Sequence, residues 1–142
     1  MTTPDTSVLV AGADPQHPFF DVAAEALGRV RSQGVLVAHT IAETYAVLTG
    51  SAYGLAPARV EEYLAQFLRR RPIGISPAGY VAALHDLCAA GVFGPAVYDG
   101  LIALGARGAD ATLVSLDRRA APTYRRCGVR FDLLTDQHPE SG

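Results

Sequence analysis

The chain has 142 residues, of which 49% are hydrophobic and 18% are charged, and its formal net charge is −2. A chain of this size and composition can bury the apolar core of one domain, which excludes a largely disordered protein. No apolar run reaches the roughly 20 residues of a membrane-spanning helix, and the start lacks the basic residues of a secretory signal, so we expect a cytoplasmic protein without membrane association.

The basic residues and the cysteines exclude several further classes of protein. All twelve basic residues are Arg, which excludes lysine-dependent phosphate binding and Schiff-base catalysis. The two cysteines, Cys88 and Cys127, lack the spacing of metal ligands, which argues against a zinc site or a disulfide framework. The slightly acidic balance provides no general field for duplex nucleic acid, so any nucleic-acid contact must be local.

Apolar periodicity and short apolar runs divide the chain into helices and strands. In chain order, we predict a strand or a helical turn at 7–11, a helix at 18–33, a strand at 35–38, helices at 41–49 and 57–70, a strand at 73–75, helices at 76–90 and 95–107, a strand at 111–116, a helix at 118–127 and a strand at 128–134. This alternation indicates an α/β domain with a mainly parallel sheet, in which polar groups gather at the carboxyl ends of the strands. No repeat or linker divides the chain, so we expect one domain over 1–134 and a flexible polar tail at 135–142.

Four acidic residues stand beside apolar neighbours, where a solvated surface charge is least expected. They are Asp5, Glu43, Asp99 and Asp117. Carboxylates gathered in one site repel each other by about 4 kcal/mol per pair at 4 Å, so such a site requires a divalent cation or protonation. Mg²⁺ and Mn²⁺ prefer oxygen ligands, and their usual task at such a site is hydrolysis of a phosphodiester.

Each acid also has a purely structural interpretation. Asp5 and Asp117 can cap the helices that follow them, and Asp99 can be an exposed helix residue. Thr40 and Glu43 match the S/T-x-x-E capping box at a helix start. The spacing alone leaves both interpretations open.

In four segments the chain resembles the PIN-domain ribonucleases, and most closely the VapC toxins of bacterial toxin-antitoxin pairs. The resemblance rests on Asp-Thr-Ser-Val-Leu-Val-Ala from Asp5, the helix that holds Glu43, Tyr-Asp-Gly-Leu-Ile-Ala around Asp99, and Leu-Val-Ser-Leu-Asp-Arg-Arg-Ala around Asp117. It implies a Rossmann-like parallel sheet of order 3-2-1-4-5, with Asp5 at the end of a very short first strand and residues 7–12 helical. Pro4 is an awkward neighbour for such a strand.

The resemblance also implies the site and its reaction. Asp5, Glu43, Asp99 and Asp117 would be the catalytic, metal-binding acids, with Ser7 and Ser115 as supporting polar residues. The reaction would be Mg²⁺- or Mn²⁺-dependent hydrolysis of an RNA phosphodiester with a 3′-hydroxyl leaving group. The chain departs from the family's pattern at Gly100, where the family often has Ala, and at Leu116, where the family often has a polar residue.

Substrate contacts and partners complete the set of expectations. Arg118 and Arg119 are candidate RNA contacts because Arg binds phosphate bidentately, whereas spacing assigns the four histidines no catalytic role. The resemblance implies a VapB-type antitoxin partner and a homodimer. The alternative is a catalytically silent PIN-like module that binds RNA or protein, and a nuclease acting on structured DNA ranks below it.

Overall fold

The computed structural model describes residues 1–137, which form an α/β domain. Three parallel strands and seven α-helices follow along the chain as β1 (Thr2–Pro4), α1 (Thr6–Ala13), α2 (Phe20–Gln33), α3 (Ala38–Thr49), α4 (Pro57–Ala65), α5 (Tyr80–Ala89), α6 (Ala96–Gly108), β2 (Thr112–Ser115), α7 (Ala121–Arg126) and β3 (Phe131–Leu133). The α/β class with a parallel sheet is therefore confirmed. Residues 7–11, which composition left open, are helical, as the family resemblance implies.

The sheet has the order β1-β2-β3, with β2 in the centre. Thr3 pairs with Leu113, and Leu113 pairs with Phe131, so all three strands end at the same edge. The predicted strands at 35–38 and 73–75 are wrong in extent, since they are reduced to one parallel bridge between Val37 and Ile73. Ala38 already begins α3, which leaves too few residues for a regular strand. The five-strand order 3-2-1-4-5 stays a prediction.

Pro4 is accommodated inside β1 because of the direction in which its backbone nitrogen points. The N–H of Asp5 donates to the Val114 carbonyl at 2.9 Å, and the N–H of Thr112 donates to the Met1 carbonyl at 2.9 Å. The backbone N–H and C=O groups of odd-numbered residues along β1 therefore point towards β2, and the backbone nitrogen of Pro4 points away from β2. The N–H that Pro4 lacks is thus not one that the β1–β2 ladder uses.

The core has two clusters, one on each side of the sheet. Leu9, Leu27 and Leu48 lie in the cluster formed by α1 to α4. Ile102 and Leu113 lie in the cluster formed by α5, α6, α7 and the sheet. The first cluster fixes α1 and α3 against each other, and the second fixes α6 against β2, so the elements that carry the four acids are all held by buried apolar contacts.

The predicted helices are present, but three of them end earlier than periodicity indicates, and five begin at other residues. The predicted helix 57–70 ends at Ala65, and 76–90 begins only at Tyr80. The predicted helix 118–127 is shortened to Ala121–Arg126, while 41–49 extends back to Ala38. After the buried Phe67, Leu68 is exposed and three arginines follow at 69–71, so no apolar stripe continues to hold a further helical turn.

Two further predictions concern the end of the chain and the membrane. Residues 134–137 form a 3-10 helix whose Leu134 is buried, so the first residues of the predicted tail are structured. Residues 138–142, which include His138 and the rest of the predicted tail, lie outside the described residues. Within 1–137, no helix is both long enough and apolar enough to cross a bilayer.

Candidate active site

Asp5 lies where β1 passes into α1, and it serves both as a helix cap and as a site residue. Its backbone is extended (φ −86°, ψ 179°), and its carboxylate accepts from the N–H of Val8 at 3.4 Å. The residue is only 3% exposed. The structural and functional interpretations of Asp5 are thus compatible, because capping uses one lone pair of one carboxylate oxygen.

Hydroxyl groups from three elements converge on the Asp5 carboxylate. Ser7 donates to Oδ1 and Ser115 donates to Oδ2, and the Tyr124 hydroxyl donates to Oδ2 at 2.7 Å. Burial raises the pKa of Asp5, while these hydrogen bonds oppose the rise. With Val8, the four donors match the four lone-pair positions of a carboxylate. A cation would therefore reach Asp5 by displacing one donor.

Glu43 is free of the capping role that its sequence spacing allows. The N-cap of α3 is Val37, so Thr40 lies inside the helix, and its buried hydroxyl has no hydrogen-bond partner. The capping-box interpretation is therefore wrong. The Glu43 carboxylate instead lies 3.6 Å from Nε2 of His39, one helical turn earlier.

Asp99 experiences the other three acids directly. It lies in the first turn of α6 and is half-buried. Burial, followed by the charges of Glu43, Asp117 and Asp5, raises the pKa of Asp99 to about 6. The interpretation as a solvated surface residue is therefore not supported. Carboxylates separated by 18 to 112 positions in the chain therefore lie close enough to influence one another.

Asp117 follows β2, and hydrogen bonds of its backbone N–H and of its carboxylate fix its position. Its N–H donates to the Ser115 hydroxyl at 2.9 Å, and its Oδ1 accepts from the N–H of Arg119 at 2.9 Å. Ser7 links the same turn to α1, because its hydroxyl accepts from the N–H of Leu116 at 2.9 Å. Ser7 and Ser115 thus connect Asp5 to the Asp117 turn, the geometry expected of supporting residues.

All four acids line one open cleft of about 420 Å³. We call it the acidic cleft, and its lining is Asp5, Thr6, Ser7, Val10, His17, Phe19, Glu43, Val47, Asp99, Leu116 and Asp117. Its mouth is open to solvent, as access by a polymer requires. A larger share of its polar lining consists of acceptors than of donors, so it favours cations.

The donor set of the acidic cleft suits a hard divalent cation. Within residues 1–137, no three His, Cys, Asp or Glu side chains stand close enough together to hold an ion without adjustment. Mg²⁺ usually keeps several waters and binds through one or two carboxylates together with substrate phosphates. Oxygen donors at the spacing of a cleft therefore fit Mg²⁺ or Mn²⁺ better than they fit Zn²⁺, which prefers a closed set of nitrogen and sulfur ligands.

The two arginines expected to contact RNA lie outside the lining of the acidic cleft. Arg118 forms an exposed ion pair with Asp136 at 2.9 Å, and the Arg119 side chain is exposed. Sequence reasoning did not single out Tyr124, and it gave His17 no site role. No signal in the sequence marks Tyr124, since 119 positions separate it from Asp5.

Comparisons with known proteins identify the family of the chain. Residues 3–125 match the family model described as the PIN domain. The chain is 38% identical over 138 residues to proteins named Ribonuclease VapC40 from two strains of Mycobacterium tuberculosis, an alignment that covers 95% of this chain and 100% of the relative. It is 35% identical over 100 residues to Ribonuclease VapC27 of the same species, covering 68% of this chain and 72% of that protein.

A solved structure supports the fold independently. The structure titled "Structure of FitAB bound to IR36 DNA fragment" contains a chain that superposes with a TM-score of 0.73 at 20% identity, covering 99% of this chain and 98% of that one. The family model and the fold thus agree on a PIN domain. The chain belongs to the VapC family of PIN-domain ribonucleases.

Proposed function

We propose that this protein is the toxin of a VapBC-type pair and acts as a Mg²⁺- or Mn²⁺-dependent endoribonuclease. The observation that carries the proposal is that Asp5, Glu43, Asp99 and Asp117 line one solvent-open cleft. Burial, followed by the charges of the other three acids, raises the pKa of Asp99 to about 6, which is consistent with that arrangement. Four carboxylates held close together repel one another and destabilise the fold, and a bound divalent cation would neutralise that repulsion. Relatives named as ribonucleases supply the reaction class.

The chain's own residues divide the work according to their surroundings. Glu43, Asp99 and Asp117 face the cleft with oxygen atoms that the described residues do not fully use, so they would hold the cation. Asp5 would join them while Ser7, Ser115 and Tyr124 orient its carboxylate. When bound, the cation supplies charge neutralisation at the phosphate and a lower pKa for the attacking water.

A VapB-type antitoxin and a homodimer belong to the same proposal. The VapC relatives carry the expectation of an antitoxin, and the structural neighbour FitAB was solved bound to a DNA fragment. An antitoxin that blocks an acidic cleft should place a cationic side chain, such as Arg, against the four carboxylates. Light scattering of the free protein and of the complex measures both stoichiometries.

The activity is tested with purified protein freed of any partner. Total RNA and short single-stranded RNAs are incubated with Mg²⁺ or Mn²⁺, with EDTA, and with the Asp99→Asn variant. The matched control is Asp132→Asn, which neutralises an exposed acid of β3 outside the cleft. Discrete cleavage by the wild type and by the control, lost with EDTA and with Asp99→Asn, supports the proposal.

One observation also fits a second candidate function, which is binding of RNA or protein without cleavage. Among residues 1–137, no three potential ligands stand close enough together to hold a metal ion. A module that binds RNA or protein without cleaving it would have the same feature. Intact RNA across both metals and several substrates, with RNA or partner binding retained, would favour that module over the nuclease.

A further inference from the structure

His17 lies in a short connection that the structure holds firmly beside the acidic cleft. The connection joins the end of α1 at Ala13 to the start of α2 at Phe20. The His17 N–H donates to the Asp14 carbonyl at 2.9 Å, and the His17 carbonyl accepts from the N–H of Phe20 at 3.0 Å. Both backbone groups of His17 are thus fixed, so its ring has a defined position.

One hydrogen bond sets the tautomer of the His17 ring. Nδ1 accepts from the N–H of Phe19 at 3.0 Å. A neutral imidazole whose Nδ1 is an acceptor carries its proton on Nε2, which is then a donor. Among residues 1–137, the structure gives Nε2 of His17 no acceptor.

The chemistry of the acidic cleft makes this donor distinctive. Among the described residues that line it, His17 is the one whose side chain contains nitrogen, and four of the others are carboxylic acids. A polyanion that enters the cleft meets repulsion from every acid that no cation neutralises. An N–H donor at the rim offsets that repulsion at one phosphate, and the arginines 118 and 119 do not line the cleft to do so.

We propose that His17 is a substrate-binding residue whose Nε2–H donates a hydrogen bond to a phosphate oxygen of single-stranded RNA in the acidic cleft. The inference rests on the proposed ribonuclease function and adds the residue that anchors the strand. A neutral donor to a phosphate oxygen contributes to binding of substrate and of transition state alike. Its removal therefore raises KM more than it lowers kcat.

The test uses three substitutions that separate the two nitrogen atoms of the ring. His17→Ala removes both. His17→Asn places an amide oxygen where Nδ1 accepts from Phe19, but it lacks a donor at the position of Nε2. His17→Gln places an amide N–H near the position of Nε2. His85→Ala is the matched control, because His85 is exposed on α5 outside the cleft.

Two readouts are collected for each variant. The first is kcat and KM for cleavage of a short single-stranded RNA with Mg²⁺. The second is binding of the same RNA, labelled with fluorescein, to variants that also carry Asp99→Asn, measured by anisotropy. We expect His17→Ala and His17→Asn to raise KM and the RNA Kd about 10- to 100-fold, with kcat changed less than about threefold. His17→Gln should recover most of the binding, and His85→Ala should match the wild type.

The outcomes that overturn the inference differ from those that overturn the proposed function. If His17→Asn behaves as the wild type while His17→Gln resembles His17→Ala, His17 only fixes the loop. If RNA binds equally well with and without the His17 side chain, or does not bind at all, His17 does not anchor the strand. A wild-type protein that binds RNA through His17 but cleaves none leaves this inference standing and overturns the nuclease.

Discussion

Asp99→Asn should make the metal-free protein more stable while abolishing its activity. Burial and the charges of Glu43, Asp117 and Asp5 raise the pKa of Asp99 from 3.8 to about 6. Each pKa unit corresponds to about 1.4 kcal/mol, so the ionised carboxylate would destabilise the fold by about 3 kcal/mol if no solvent screened it. Asp99 is half-buried, and screening reduces our expectation to about 1–2 kcal/mol.

The pH dependence of this effect has a definite sign. A carboxyl whose pKa is raised in the folded state binds more protons when folded than when unfolded, so stability falls as the pH rises from 3.8 to about 6. Above about pH 6 the destabilisation by ionised Asp99 is fully present, and below pH 3.8 it is absent. Asparagine has the same shape without the charge, so the variant avoids this cost.

The assay is thermal or urea unfolding of both proteins in EDTA at pH 7.5 and at pH 4. At pH 7.5 we expect the melting temperature of Asp99→Asn to exceed that of the wild type by about 3–8 °C. The difference should shrink towards zero at pH 4. Asp132→Asn should show no such gain. An Asp99→Asn protein that is less stable than the wild type at pH 7.5 would refute the claim that the four acids repel one another in one site.

Two further substitutions test the support around Asp5, and a third tests the close approach of Gly34 to β1. Ser115→Ala removes a donor to Asp5 and an acceptor of a backbone N–H, and it should lower stability by about 1–3 kcal/mol and RNA cleavage by at least about tenfold; unchanged cleavage would contradict its role. Tyr124→Phe removes the 2.7 Å hydrogen bond to Asp5 and should lower the free energy of unfolding in urea by about 1–3 kcal/mol. A free energy of unfolding equal to that of the wild type would be the contrary result. Gly34→Ala would place a Cβ 2.6 Å from the Thr2 carbonyl oxygen, so a loss of about 1–3 kcal/mol is expected in the same assay, and an unaltered midpoint would show that the backbone yields.

The sequence predicts the acids of the site because their surroundings are unusual. Asp5, Glu43 and Asp99 are isolated charges in their segments, Asp117 directly follows an apolar strand, and the structure brings all four to the acidic cleft. Periodicity also finds the helices, because a stripe of apolar residues is a local property. The resemblance to a family adds the order of the pieces, which no single segment contains.

The parts that sequence missed depend on tertiary contacts. Composition makes 35–38 a strand, but the packing of α3 begins the helix at Ala38 and leaves one bridge to Ile73. The spacing of Thr40 and Glu43 fits a capping box, but the helix starts three residues earlier than that motif requires, because its N-cap is Val37. A hydroxyl that reaches across the fold, such as that of Tyr124, has no local signature.

The most direct test of the account is the binding of Mn²⁺ to the free protein, measured by calorimetry at pH 7.5. The account predicts that the wild type and Asp132→Asn bind Mn²⁺ alike, and that Asp99→Asn binds it at least about tenfold more weakly, because affinity for such ions follows the number of charged ligands. Equal Mn²⁺ affinity in the wild type and in Asp99→Asn would contradict the claim that the four carboxylates form one cation site.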